Sequence, residues 1–362
     1  MKKAELHQRG LAALQASLDE VPFAGALVPA GVRPGIHPPD ACMQLDLPDG
    51  PLTLFIELRP NGQPRTARSA ANHLQTCMLL EPGAYGLLIA PYISLAAAGI
   101  CAQAGVGTLD LAGNCRLAFR QVYIHQQGRP NPFSQRRELA SLYSPAAERI
   151  LRVLLEHPFQ IWKTLPLAEA AGVSPGMITR VKNLLAGEEW LHIQREGFAL
   201  TQPQALLMDW RASYTPRCAA PQTWRAPRGS EAALAALAEI CARQQMLWAL
   251  NGSSAAARLL GLAAPHPETV CIQGDPAALA ATLGLRPADA DGDLLLAQVL
   301  DDGVWLGKTR PGPWPLVSAV QACLDLSLHT PSAPQADALL ETILMLHWAR
   351  LQNQSDIPTP TR

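Results

Sequence analysis

The stretch from Ser144 to Thr201 constrains this chain more than any other. "SPAAERILRVLLEHP" opens with Ser144 at a helix N-cap and Pro145 at the first helical position, where a missing N–H loses no intrahelical bond. Ile150, Leu151, Leu154 and Leu155 recur at helical spacing and make one apolar stripe. "TLPLAEAAGVSPGMITRVKNLLAGEEW" then reads as a short helix ending at Gly172, a tight turn through Val173, and a second helix over 174–187 capped by Ser174. Ala168 and Gly172 are small enough for two helices to cross closely, as a helix-turn-helix requires. "WLHIQREGFALT" alternates and turns at Glu196-Gly197, which suits the wing of a winged helix.

On the second helix Ile178, Val181 and Leu185 face inward. Gly176, Thr179, Arg180 and Asn183 project opposite them, with Met177 and Lys182 on the flanks. A recognition helix in the major groove reads base edges with such groups: Arg matches guanine and Asn matches adenine. Ser174 and Lys182 suit phosphates, and Arg195 stands in the wing turn. The bland alternative is a three-helix packing module with a solvated polar face, or a winged helix that binds protein. Residues 136–200 hold 8 basic and 7 acidic side chains. So little net charge attracts DNA weakly, and Arg-bearing linkers or dimerisation have to add to it.

Composition sets the frame around this module. The chain has 362 residues, 48% apolar and only 16% charged, enough for two or three packed cores. Net charge is −1, with 7 Lys/Arg against 13 Asp/Glu from residue 231 onward, so the first 230 residues carry about +5 and the remainder −6. A polyanion is expected to meet the first two-thirds. The eight cysteines are scattered, without a Cys-x-x-Cys pair or zinc spacing, and read as reduced thiols of a cytoplasmic protein. No His pair stands at i, i+4 and no cofactor or metal is expected. No apolar run reaches the ~18 residues of a membrane span.

Ahead of the winged helix, residues 1–130 read as a mixed α/β domain. An amphipathic helix over 4–20 is followed by the irregular connector "VPAGVRPGIHPPD", strands near 41–47 and 52–58, a helix over 65–80, the buried strand "YGLLIAPYI", a short helix at 95–104, and a hairpin turning at Gly113-Asn114. In "LTLFIELRP" a buried strand delivers Glu57 and, two residues on, Arg59. Metal-dependent nucleases of the PD-(D/E)xK class place an acid at the start of one strand and Glu-x-Lys on the next, where carboxylates hold Mg²⁺ and the Lys positions water. Asp40, with Asp46 as a weaker alternative, Glu57, Arg59 and Gln75 occupy the corresponding positions. Arg59 keeps a permanent charge and is a poor match for that Lys. A nuclease-like fold without activity is expected, an active nuclease is the runner-up, and a simple Glu57–Arg59 charge pair is the plain reading.

Other features carry less. Asp110 and Asn114 in "DLAGN" shape a turn or serve a site. "LNGSSAAARLL" resembles a nucleotidyltransferase loop, but its only downstream acids, Asp289, Asp291 and Asp293, lie in a Pro/Gly-rich loop; Ser253 and Ser254 read as helix caps. His73 is expected at the surface near Arg65 and Arg68.

The runs "VPAGVRP", "FIELRPNGQPR", "YGLLIAPYIS", "GVGTLDLAGNCRLAF" and "PLVSAVQACLDL", with the winged helix between them, resemble regulators of the AbiEi type IV antitoxin class over roughly residues 25–350. The resemblance implies a repressor joining a winged helix to larger domains, some with a restriction-nuclease-like fold, and a nucleotidyltransferase-like toxin as partner. This chain departs from the pattern in carrying its winged helix centrally and in having Arg59 where relatives show Lys. The expectation is an α/β multidomain protein: a degenerate nuclease-like domain at 1–130, a winged helix-turn-helix at 136–212, an α/β partner-binding or dimerisation domain at 230–352, and a disordered tail at 353–362. Its expected role is that of a double-stranded-DNA-binding regulator and possible homodimer, not an enzyme. Action as an antitoxin through protein contact with a toxin is a further alternative.

Overall fold

The computed structural model describes residues 2–31, 38–133, 142–289, 291–328, 333–355 and 357. It is an α/β protein of two compact units. The first comprises Met1–Glu138 with Leu185–Glu189, the second Leu139–Leu184 with Trp190–Arg362.

Unit 1 is built on a seven-stranded mixed sheet in sequential order: β1 (Leu27–Pro29), β2 (Ala41–Leu45), β3 (Leu52–Leu58), β4 (Tyr85–Ala90), β5 (Gly107–Asp110), β6 (Cys115–Phe119) and β7 (Val122–Gln126). The β3–β4 and β4–β5 pairs are parallel and the others antiparallel. The crossovers are the helices the parallel pairs require: α2 (Pro64–Leu80) and α3 (Leu95–Gln103), on one face; α1 (Lys3–Leu18) packs on the other. Alternation decides which residue serves which layer. Leu52, Leu54, Ile56 and Leu58 pack into the α1 side, Phe55 and Leu88 into the α2/α3 side. One expectation is corrected: the connector after α1 is not wholly irregular. Val28 pairs with Gln44, because Leu27 and its neighbours extend the sheet edge.

In unit 2, α4 (Pro145–Glu156), α5 (Thr164–Ala171) and α6 (Pro175–Gly187) precede the hairpin β8 (Leu191–Gln194) and β9 (Gly197–Leu200). Gly172 ends α5 at φ 62, the left-handed conformation a helix C-terminus favours in glycine. Gln194 pairs with Gly197, so Arg195 and Glu196 form the wing tip, and Trp162 bridges Phe198 as a third short strand. After α7 (Pro203–Ser213), a five-stranded sheet in the order β11-β12-β14-β10-β13 completes the unit, with β10 at Gln222–Arg225, α8 at Ser230–Gln244, β11 at Trp248–Leu250, α9 at Gly252–Leu259, β12 at Glu268–Ile272, α10 at Pro276–Thr282, β13 at Arg286–Pro287 and β14 at Leu294–Gln298. Helices α11 (Ala319–Leu326), α12 (Ala333–Leu339) and α13 (Met345–Asn353) follow.

The range 230–352 and most of 136–212 group within this one unit; 136–138 and 185–189, which include the end of α6, group with unit 1. The reason is visible on α4. Besides its apolar stripe it buries Glu148 and Arg152 completely. Glu148 accepts two hydrogen bonds from Arg217, both 2.7 Å. Arg152 donates to Gln321 of α11 at 3.0 and 2.6 Å and lies 4.9 Å over the Trp210 ring. Gln321 in turn donates to Tyr214 (2.9 Å) and Asp325 (2.8 Å). A buried network of this kind is stable only when all its members are present. Of the expected disordered tail, Asn353 ends α13 and Ile357 is buried; residues 356 and 358–362, like much of the linker after Phe133, lie outside the described residues.

Candidate functional site

The sequence singled out two places, and they have opposite electrostatic character. In unit 1 Asp40 precedes β2, while Glu57 and Arg59 come from β3 and the residue after its end. Asp40 Oδ2 accepts from the Leu58 amide at 2.8 Å and from Arg59 at 3.1 Å, and its Oδ1 meets Lys3 Nζ at 2.5 Å. Burial pushes the Asp40 carboxyl up, but Lys3, the Leu58 amide and Arg59 together outweigh it and leave it below its ordinary value. Glu57 is only 2% exposed. Burial pushes its carboxyl up, and the opposing pull of Arg59 and His73 does not cancel that. Its Oε2 forms an ion pair with Arg59 without a well-directed hydrogen bond.

His73 Nδ1 lies 2.7 Å from Glu57 Oε1, so His73 belongs to this cluster and not to the open surface near Arg65 and Arg68. Gln75 does not join it, and donates instead to the Ala104 carbonyl at 3.1 Å. The helix explains both: positions 73 and 75 are about 200° apart on α2. Cys77, one turn after His73, places its Sγ 3.8 Å from His73 Nε2. The Arg59 guanidinium thus contacts both carboxylates, the pair that would hold a metal ion in a nuclease. Among the described residues no group of three or more His, Cys, Asp or Glu is placed to bind a metal.

Asp110 and Asn114 shape the turn. Asp110 Oδ1 accepts from the amides of Ala112 (3.0 Å) and Asn114 (2.9 Å), and Oδ2 from the Ile93 amide (3.1 Å) and Asn114 Nδ2 (3.0 Å). Asn114 also pins the Arg129 backbone through both N–H and C=O. In unit 2 the cap of α9 is Asn251, which accepts from Gly252 at 2.7 Å, not Ser253 or Ser254; Ser254 is buried and accepts from Thr269. Asp291 pairs with Arg225 and Asp293 accepts from Ala226, leaving a solvated loop.

On α6 the inward residues Ile178, Val181 and Leu185 are buried. Ser174, Thr179, Arg180 and Asn183 are exposed, and Met177 and Lys182 half-buried. Thr179 donates back to the Pro175 carbonyl at 3.3 Å. Lys182 Nζ sits 5.2 Å over the Phe198 ring of the wing, a contact the sequence did not reveal. Arg180 and Asn183, and Arg195 at the exposed wing tip, have no side-chain partner among the described residues.

No family model matches the chain, and no curated protein matches it. A solved structure of EndoMS in apo form is similar over 31% of this chain and 46% of that chain, at 19% identity and a TM-score of 0.21. This chain therefore spans under half of that one, and a likeness so slight carries no argument about fold or chemistry. No helix among the described residues is long and apolar enough to cross a membrane.

Proposed function

We propose that the chain is a sequence-specific, double-stranded-DNA-binding regulator. Helix α6 enters the major groove, Arg180 and Asn183 meet base edges, and Ser174, Lys182 and Arg195 meet phosphates. The observation that carries the reading is the outer face of α6: Arg180 and Asn183 stand exposed and, among the described residues, without a side-chain partner, on a helix whose opposite face is buried. We further propose that the Asp40–Glu57–Arg59 cluster is not catalytic, since a permanent cation already contacts both carboxylates. The reading rests on DNA alone and includes no toxin.

Gel-shift titration against the promoter region of its own reading frame tests this. The Arg180→Ala change is expected to cost about 1–3 kcal/mol on the specific site and to relax its sequence preference. Unchanged affinity in an Arg180→Ala, Asn183→Ala double variant refutes the assignment. A footprint with two half-sites about one helical turn apart would identify a homodimer.

A further inference from the structure

We propose that unit 1 carries a second binding site, for a mononucleotide-type ligand, a flat heterocycle bearing a phosphate, in the cleft between α3 and the β5–β6–β7 end of its sheet. This site is separate from the DNA-reading helix and does not depend on that assignment.

The strand register creates it. Thr108 of β5 pairs with Arg116 of β6, and Arg116 pairs with His125 of β7. Directly opposed residues share a sheet face, so the three form a row across the end of the sheet. In the core of unit 1 this face is covered by α2 and α3, but past α3 it is open: His125 is exposed and Tyr123 is 67% exposed. A cleft of about 470 Å³ lies there, within the size range of small-molecule sites. One wall is the outer face of α3, where Ala98, Gly99 and Ala102 present a smooth surface beside Leu95. A Cβ added at Gly99 would meet nothing within 4 Å, so the wall is flat and open at its middle.

The other side carries two guanidiniums. Arg116 and Arg129 line the cleft beside the His125 imidazole, and among the described residues no acidic side chain does. The one carboxylate nearby in the turn, Asp110, has both oxygens filled by four hydrogen bonds. None of the three basic side chains has an ion-pair partner among the described residues. Arg116 is half-buried, and a half-buried guanidinium without a counter-charge is costly unless an anion completes it. The turn makes two contacts with Arg129. Asn114 fixes its backbone, and its side chain lies over Gly113, where a Cβ would come within 2.9 Å of the Arg129 Cδ. Arg116 and Arg129 supply two guanidiniums for a phosphate dianion, the small-residue wall of α3 suits a ring, and Thr108, Gln126 and Gln127 offer hydrogen bonds to its edge.

Isothermal titration of the full chain with AMP, adenosine, inorganic phosphate and a single-stranded oligothymidine tests the site. AMP is expected to bind saturably, and adenosine and phosphate each at least about tenfold more weakly, since each supplies only half of the contacts. The Arg116→Gln, Arg129→Gln variant is expected to weaken AMP at least about tenfold with an unchanged melting temperature. Gly99→Leu keeps every charge and fills the wall, and is expected to do the same. The proposal is overturned by absence of saturable AMP binding, by unchanged affinity in both variants, or by binding of the oligonucleotide without AMP.

Discussion

The carboxylate cluster of unit 1 and the outer face of α6 hold similar residue types and use them oppositely. In the cluster the charges are closed on one another, Arg59 on Asp40 and Glu57 and Lys3 on Asp40, and the His73 ring lies against Glu57. On α6, Arg180 and Asn183 are left open. A closed, buried set of charges reports on its own fold, because removing one member strands the others in low dielectric. An open set adds little to stability and is available to a partner. The difference separates structure from recognition better than residue type does.

The change that probes this contrast hardest is Glu57→Ala. It leaves Arg59 with Asp40 as its one carboxylate and removes the Glu57 contact of His73, and is expected to lower stability by about 2–4 kcal/mol in urea melts. DNA affinity at a temperature where the variant is folded is expected to stay as it was. Incubation with supercoiled DNA in Mg²⁺ or Mn²⁺ supplies the break: cleavage by the wild type that vanishes in Glu57→Ala would make the cluster catalytic and erase the distinction.

How far this contrast was legible beforehand depends on the residue. The face of α6 was readable because helical period alone sorts Ile178, Val181 and Leu185 from Thr179, Arg180 and Asn183. So were the seven-stranded sheet's main strands, whose apolar runs are bounded by turns. The membership of the cluster was half readable: strand spacing brought Glu57 and Arg59 together, but whether His73 or Gln75 faces them depends on the phase of α2 against the sheet, which no local pattern fixes. The burial of Glu148 and Arg152 was not readable at all. Both sit on the polar side of α4, and their partners Arg217 and Gln321 lie 69 and 169 residues further along. Nor could alternation show that β7 ends the sheet and leaves His125 uncovered.

Glu156 sharpens the comparison from a third direction, a mostly buried carboxyl with no cation paired to it among the described residues. Burial pushes it up to about 7, against a weaker opposing hydrogen bond from Ser318, and its Oε1 has no partner. Gly307 stands so close that a Cβ there would lie 2.7 Å from the Glu156 carboxyl carbon. The folded chain therefore binds a proton that the unfolded chain releases between about pH 4.5 and 7, so stability is fully present below that window and falls as pH rises through it. His157, pushed down by burial and by His347, acts in the opposite sense, favouring the fold where it is neutral. Glu156→Gln is expected to recover about 1–3 kcal/mol at about pH 8 and almost nothing at about pH 4. Equal urea midpoints for wild type and variant at the higher pH would mean that the carboxyl is hydrated in the folded state.

Lys182 carries the smallest effect and stands between the two categories. Its ammonium is half closed, 5.2 Å over the Phe198 ring, and half open, on the flank of α6. A partly exposed cation–π contact is worth about 0.5–1 kcal/mol, so Lys182→Met is expected to lower stability by no more than that. If the same ammonium also meets a phosphate, it displaces one counterion on binding, and the slope of log affinity against log salt shrinks by about one in the variant, equally for specific and random DNA. The two measurements are independent. A stability loss with an unchanged salt slope places Lys182 with the closed charges, as a pin between α6 and the wing. A smaller slope with an unchanged melt places it with Arg180 and Asn183. Both together mean that the wing holds the ammonium in place for the phosphate, the arrangement in which pre-ordering lowers the entropy lost on binding.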